Sequence, residues 1–177
     1  MVSKSTATAP RPRFRIVATP AGPAWFVWGA SGLLRSGLPE PDEGTARERI
    51  HAEFPDAIED RRLESPLAKD LANFFRGKPV HFRVRLDETG LTPFRVRVYR
   101  ELRKVKAGST VTYAELARRA GRPAAARGVG QAMRRNPFPP IVPCHRVLTS
   151  TGGLGGFSST RGIDQKQEML ELESQVD

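Results

Sequence analysis

A single cysteine, Cys144, occurs in the 177 residues, so the chain cannot close an internal disulfide. The multi-cysteine zinc sites are excluded with it. Three histidines (His51, His81 and His145) are scattered, and none stands at metal-ligand spacing from another, so no metal site is expected. No stretch approaches the roughly 18–20 consecutive apolar residues of a membrane-spanning helix. The start, Met1 to Arg13, is polar and proline-bearing and lacks an apolar h-region, which predicts a disordered tail rather than a secretory signal. A free thiol suits a reducing compartment, which points to the cytoplasm. Two glycine patterns fail as cofactor sites. Gly128-Val-Gly130 lacks the third glycine of the dinucleotide fingerprint, and Gly152-Gly-Leu-Gly-Gly156 neither follows a clear strand nor opens a helix. No nucleotide or methyl-donor cofactor is expected.

Charge is abundant and uneven. The formal net charge is +10. Residues 1–90 hold 14 Lys and Arg against 12 Asp and Glu, whereas residues 91–177 hold 15 against 7. The basic excess belongs to the second half, which suggests a polyanionic partner, nucleic acid first. An arginine-rich proteome would give the same total without a partner.

Patterning divides the chain into a tail (1–12), an α/β unit (13–86), a linker (87–92) and a mainly helical unit (93–177). Phe14–Ala18, Trp25–Trp28 and Gly32–Ser36 read as strands. Thr45-Ala-Arg-Glu48 is a capping-box pattern opening a helix to about Phe54. Pro66 to Phe75 reads as a helix and Val80–Leu86, which alternates, as a strand. In the second half, Phe94, Val98 and Leu102 recur on one helix face, and Gly108 ends that segment. Thr112-Tyr-Ala-Glu115 is a second capping box, for a helix stopping at Gly121. Pro123 opens another, to about Arg135. Two short helices joined by a Gly- and Pro-containing turn fit a helix-turn-helix or an ordinary αα-hairpin. Residues 136–160 are loop, and Asp164-Gln-Lys-Gln167 caps a final helix whose Ile163, Met169, Leu170 and Leu172 face the core.

The segment that carries chemistry is Asn136-Pro-Phe-Pro-Pro-Ile-Val-Pro-Cys144-His-Arg-Val147. Its prolines fix φ on the approach to the cysteine. A nucleophilic thiol needs a base or positive charge beside it. His145 and Arg146 are adjacent, but neighbours on a strand point to opposite faces, so a Cys144–His145 partnership requires a turn or a bridging water. A buried structural cysteine beside a surface His-Arg pair is the alternative, and a cysteine hydrolase a further one.

Pro143-Cys144-His145-Arg146-Val147, with Asn136-Pro137 upstream, resembles the active-site signature of the O6-alkylguanine-DNA alkyltransferases. The resemblance runs from about Thr92 to Glu173. It includes Gly108, Val111, Tyr113, Leu116 and Ala117, then Arg127-Gly-Val-Gly-Gln-Ala-Met133, Gly155-Gly-Phe-Ser158 and Lys166, Met169, Leu170 and Glu173. It implies a ribonuclease-H-like α/β unit followed by a winged-helix-like unit with a helix-turn-helix. It further implies direct-reversal repair of DNA by a single-turnover enzyme without cofactor. Cys144 would take the alkyl group irreversibly from O6-alkylguanine, and from O4-alkylthymine, after base flipping. In that reading His145 is the base, acting through a water, and Glu173 orients it. Tyr113 donates to the leaving guanine and Asn136 braces the loop. The backbone carbonyls of Cys144 and Val147, with Ser158, read the base edge, between walls formed by Met133 and Phe157. Arg127 fills the vacated stack, Ala126 and Gly130 allow close approach to the backbone, and Arg118, Arg119, Arg122 and Arg134 contact phosphates or are simply solvated. Double-stranded DNA is the expected partner of a monomer that acts on the chromosome, with cooperative binding left open. The related alkyltransferase-like proteins, which bind damaged DNA without transfer, lack the cysteine present here. Tyr99 stands where the family often has Trp, and Ser159-Thr-Arg-Gly162 adds about two residues at the pocket rim.

Overall fold

The computed structural model describes residues 10–175, so the tail expected over residues 1–12 lies almost wholly outside the described residues. Three strands follow one another: β1 (Arg13–Thr19), β2 (Gly22–Gly29) and β3 (Gly32–Gly37). They form an antiparallel meander, and a two-residue β4 (Ile58–Glu59) adds in parallel beside β1, giving the order β3-β2-β1-β4. Helix α1 (Glu43–Glu53) follows β3. Its cap is Asp42, whose carboxylate accepts from Thr45 N at 2.7 Å. The Thr45 box therefore does not open the helix. Asp42 stands three residues earlier and supplies the stronger, charged acceptor for the same end. Helix α2 (Ser65–Phe74) lays Leu67, Ala68, Leu71 and Phe74 inward.

Val80–Leu86 is not a strand. Only Leu86 bridges the sheet, opposite Leu33. The Phe82 and Val84 carbonyls are instead taken by one Arg103 guanidinium, at 3.0 and 3.2 Å. A side chain from the helical half thus satisfies acceptors that a neighbouring strand would otherwise hold.

Helix α3 (Pro93–Leu102) starts at Thr92, which accepts from Arg95 N, and it ends six residues before Gly108. Gly108 sits in the following turn at φ +73°. Val111–Thr112 (β5) comes next, and Thr112 caps α4 (Tyr113–Arg119) by accepting from Glu115 N at 3.1 Å, the threonine half of the capping box, while the Glu115 carboxylate pairs with Arg119. Helix α5 spans Ala126–Arg134 and begins three residues later than Pro123 predicts, because residues 121–125 form turns. A single 3₁₀ turn, Cys144–Arg146, interrupts the loop, and β6 (Val147–Leu148) then pairs in parallel with β5. Helix α6 (Gly162–Ser174) is preceded by Arg161 with no side-chain cap, so the Asp164 cap is not used. Ile163 is 48% exposed and does not face the core.

The core is continuous across both halves. Val17, Phe26, Leu33, Leu67 and Leu71 share one cluster with Val98, Leu102, Leu116, Val129, Val142 and Val147. Full burial of each such side chain contributes roughly 1.5–3 kcal/mol. Tyr99 is buried in it, its hydroxyl donating to Ala132 O at 2.9 Å and accepting from Arg95 Nη2 at 3.0 Å. That phenol ties α3 to α5 with a donor and an acceptor at once, which an indole cannot supply.

Candidate active site

The loop that presents Cys144 is built by Asn136. Its amide nitrogen donates to Val142 O at 2.8 Å, and its amide oxygen accepts from Phe138 N at 3.0 Å. Phe138 O in turn accepts from Val142 N at 2.8 Å. One side chain therefore clasps both ends of the proline-rich segment, and Pro137 O receives Ser36 N from β3. Cys144 then opens the 3₁₀ turn and is buried. Successive residues of a 3₁₀ turn are about 120° apart, rather than on the opposite faces of a strand. The geometric objection to a Cys144–His145 partnership is thereby removed.

Behind the thiol lies a buried charged cluster. His145 Nε2 and Glu173 Oε1 are 2.8 Å apart. Arg146 grips the same carboxylate twice, Nε at 2.9 Å from Oε2 and Nη2 at 2.7 Å from Oε1. Its Nη1 donates to Val105 O. Burial alone would raise the Glu173 pKa, but the hydrogen bonds from His145 and Arg146 outweigh it and hold the carboxyl at about 2. Glu173 is thus ionised and accepts only. His145 Nε2 must carry the proton it shares, and Nδ1 is left as a lone pair. Burial also pushes the His145 pKa below its usual value, so the ring is neutral near pH 7. Its Nδ1 is buried and has no hydrogen-bond partner in the protein.

Three of the buried side chains of α6 are polar, and each grips something different. Gln165 Nε2 donates to Pro39 O at 3.3 Å. Lys166 Nζ donates to Val147 O at 2.6 Å and to Leu154 O. Glu173 holds the histidine and arginine. Burial lowers the Lys166 pKa to about 8, with the neighbouring Cys144 opposing the fall. Burial likewise raises the Cys144 thiol, opposed first by the Asn136 amide and then by the Lys166 charge. The resting thiol is protonated, and it needs an acceptor for its proton when it reacts.

Cys144 opens into a cavity of about 340 Å³ lined by Tyr113, Gly130, Met133, Arg134, Gly156, Phe157 and Ser158. That volume is at the small end for ligand sites and suits a single flat base. A larger cavity of about 480 Å³ lies elsewhere, against His81, Arg103, Lys106 and Ile141, and its lining has no cysteine, serine or threonine. Tyr113 is half-buried, and burial, with Cys144 adding to it, raises its pKa, so the phenol keeps its proton. Gly155, at φ +65°, brings bare backbone against it. A Cβ there would meet the Tyr113 hydroxyl at 3.3 Å.

Of the residues singled out from sequence, the structure gathers Cys144, Tyr113, Gly130, Met133, Arg134, Phe157 and Ser158 around one cavity, with His145 and Glu173 beside it. Val147 is not among the lining residues. Its side chain is fully buried, and its carbonyl is held by Lys166. Asn136 acts from the loop. Arg118, Arg119, Arg122 and Arg127 lie outside the cavity, exposed on α4, the turn and α5, with Ala126 half-buried. Arg119 pairs with Glu115, and Arg122 stacks 5.9 Å over Phe94. Sequence reasoning gave no role to the Arg146 clamp or to burial of Lys166. The available signal was spacing: Lys166, Met169 and Glu173 fall on one helix face.

Residues 93–175 match the family described as 6-O-methylguanine DNA methyltransferase, DNA binding domain. A methylated-DNA–protein-cysteine methyltransferase of Methanosarcina barkeri is 37% identical over 160 residues, 90% of this chain and 96% of that protein. The chain belongs to this methyltransferase family. The Salmonella typhimurium member is 33% identical over 160 residues, 89% of this chain and 92% of its own length. Among solved structures, Mycobacterium tuberculosis OGT in complex with DNA superposes with a TM-score of 0.77 at 33% identity, covering 92% of each chain. The O6-methylguanine-DNA methyltransferase of Pyrococcus kodakaraensis gives 0.63 at 29% identity, over 92% of this chain and 98% of the other. The family's mixed α/β architecture is the one seen here.

Proposed function

We propose that this methyltransferase repairs DNA by moving the alkyl group of O6-alkylguanine onto Cys144, once per molecule. The observation that carries the reading is a buried thiol opening into a base-sized cavity, next to a neutral histidine backed by an ionised glutamate. The Cys144 sulfur attacks the O6-bound carbon, so an S–C bond forms as the C–O6 bond breaks. The thiol proton passes through a water to His145 Nδ1, whose unpartnered lone pair supports that route. Glu173 stabilises the resulting imidazolium, and Arg146 keeps the carboxylate from taking the proton itself. The departing guanine is protonated by Tyr113, because a bare anion is a poor leaving group. The phenol then recovers a proton from solvent. The thioether product is not a leaving group, which makes the reaction stoichiometric.

A target base inside a duplex is out of reach, so it must be extruded. We read α4 and α5 as a helix-turn-helix in a winged-helix-like unit (93–177), joined by residues 87–92 to a ribonuclease-H-like unit (13–86). In this reading Arg127, exposed near the start of α5, fills the vacated stack. Arg118, Arg122 and Arg134 supply charge for phosphates without sequence preference. O4-alkylthymine presents the same alkyl–oxygen chemistry and is a second substrate in this reading. Among the described residues no helix is long and apolar enough to cross a membrane. A cytoplasmic site of action fits the free thiol.

Intact-mass measurement after incubation with an O6-methylguanine duplex tests the proposal. One methyl per chain on Cys144, followed by inactivity, is expected. An unmodified chain or repeated turnover would refute it. Cys144→Ser should bind the same duplex without accepting the group.

A further inference from the structure

The outer wall of the Cys144 cavity is a short bridge pinned at two points. Upstream, Lys166 holds Leu154 O. Downstream, Thr160 is held by the opposite half of the chain. Its hydroxyl donates to Glu40 Oε2 at 2.9 Å, and Arg49 Nη2 donates to the same hydroxyl at 3.0 Å. Arg49 Nε closes a ring on Glu40 Oε1 at 2.7 Å. The Glu40 side chain is only 5% exposed, so this carboxylate is committed to the ring rather than to solvent. Phe157 and Ser158, which face the cavity, lie between the two anchors.

Between them Phe157 packs against the core, with Lys166 Nζ 6.0 Å from its ring, and Ser159 bonds to Gly162, its hydroxyl donating to Gly162 O at 3.3 Å and its carbonyl accepting from Gly162 N at 3.1 Å. A Cβ built at Gly156 on one side or at Gly162 on the other would meet nothing within 4 Å, so neither end is wedged by side-chain packing. Beneath the rim lies a second cavity of about 120 Å³, lined by Trp25, Ser36, Glu40, Asn136, Ser158 and Gln165 among others. Three of those residues carry buried polar atoms with no hydrogen-bond partner: Trp25 Nε1, Ser36 Oγ and Gln165 Oε1. A floor of this kind suits a few waters at about 30 Å³ each, not dry apolar packing. Phe157 rests on the core, whereas Ser158 lies over this polar floor and takes its position from the Glu40 ring next to it.

We propose that Glu40, held by Arg49, is a positioning residue that acts through Thr160 to fix the Phe157–Ser158 wall. It thereby sets how large an O6 substituent the cavity accepts. The inference rests on Cys144 being the alkyl acceptor. With the ring closed the wall cannot retreat, and a bulky substituent meets it. With the ring opened, the segment swings between its glycines and the discrimination is lost.

The test uses the full chain and two duplexes, identical but for one O6-methylguanine or one O6-benzylguanine, and reads second-order transfer constants for each. Thr160→Val and Glu40→Gln should each raise the benzyl-to-methyl ratio about 3- to 10-fold, the factor one net hydrogen bond represents. The methyl constant should stay within about 3-fold by the same reckoning. The double variant should do no more than either single change, because both break one ring. Thr160→Ser, which keeps the hydroxyl, should behave as the parent. An unchanged ratio with both constants falling together, or single effects that multiply in the double variant, overturns the inference alone. A parent chain that leaves Cys144 unmodified overturns the functional reading, and this inference with it.

Discussion

Glu173→Gln keeps the size of the side chain and removes its charge, and two separable losses should follow. The first is in rate. A carboxylate forces the proton onto His145 Nε2, whereas an amide can donate as readily as accept, so Nδ1 is no longer reserved as a base. The general-base contribution at risk is about 10²- to 10⁴-fold. The second is in stability. Arg146 makes two close contacts with Glu173, at 2.7 and 2.9 Å, and its side chain is only 10% exposed. Stripping one partner from a buried pair costs roughly 3–5 kcal/mol. At about 2–4 °C per kcal/mol for a chain of this size, the thermal midpoint should fall by about 6–20 °C. Single-turnover methyl transfer from an O6-methylguanine duplex gives the rate, and calorimetry the midpoint. His145→Gln should match the rate loss yet keep most of the stability, because the Arg146–Glu173 pair survives. The double variant should be no slower than His145→Gln alone. A Glu173→Gln protein with parental rate and midpoint, or rate losses that multiply in the double variant, would refute the reasoning.

Three other outcomes are expected. Acid titration should show two phases. The His145 pKa is depressed in the folded chain, so stability declines as pH drops below 6.5, where the unfolded chain alone takes the proton. Glu173 falls from 4.5 to about 2, so its contribution is full above 4.5 and lost towards pH 2. At about 1.4 kcal/mol per pH unit this is roughly 3 kcal/mol, and urea titrations of Glu173→Gln should lack that second phase. Lys166→Met should leave the Val147 and Leu154 carbonyls without a donor and slow transfer by withdrawing a positive charge from Cys144. The parent should gain stability between about pH 8 and 10.5, where only the unfolded chain holds the lysine proton, and the Met variant should not. Arg127→Ala should slow repair of a duplex about 10-fold or more, as losing a few kcal/mol of base-flipping support implies. It should leave reaction with the free base O6-benzylguanine unchanged, and an equal fall in both assays would argue that the arginine is structural.

Local chemistry was readable where one interaction decides the outcome. Thr112 caps α4 by accepting from Glu115 N, and the strands of the meander are short apolar runs set apart by glycine and proline turns. Thr45 failed because Asp42, a better acceptor, stood just upstream. Val80–Leu86 failed because its carbonyls are claimed by Arg103, a residue no strand pattern registers. The site was legible as a motif but not as a mechanism. Cys144, His145 and Glu173 came from the resemblance to a family. The sequence carries no burial signal for Arg146 or Lys166, because hydropathy assigns charge to solvent, whereas α6 buries a polar face. The ring of Glu40, Arg49 and Thr160 joins residues up to 120 positions apart and has no local signature.

The pairing of β5 with β6 is only two residues long, Val111 with Val147 and Thr112 with Leu148. It nonetheless acts as a gauge. Thr112 immediately precedes Tyr113, and Val147 follows Cys144 by three residues, so this pairing sets the span between the Tyr113 phenol and the Cys144 sulfur. A slip of one residue would displace one strand by about 3.3 Å and turn its side chains over. Everything from Ala114 to Pro143 is, by contrast, an excursion that leaves and returns to the same gauge. That excursion is not free to vary throughout, because Asn136 within it holds the loop that delivers Cys144 back to the gauge.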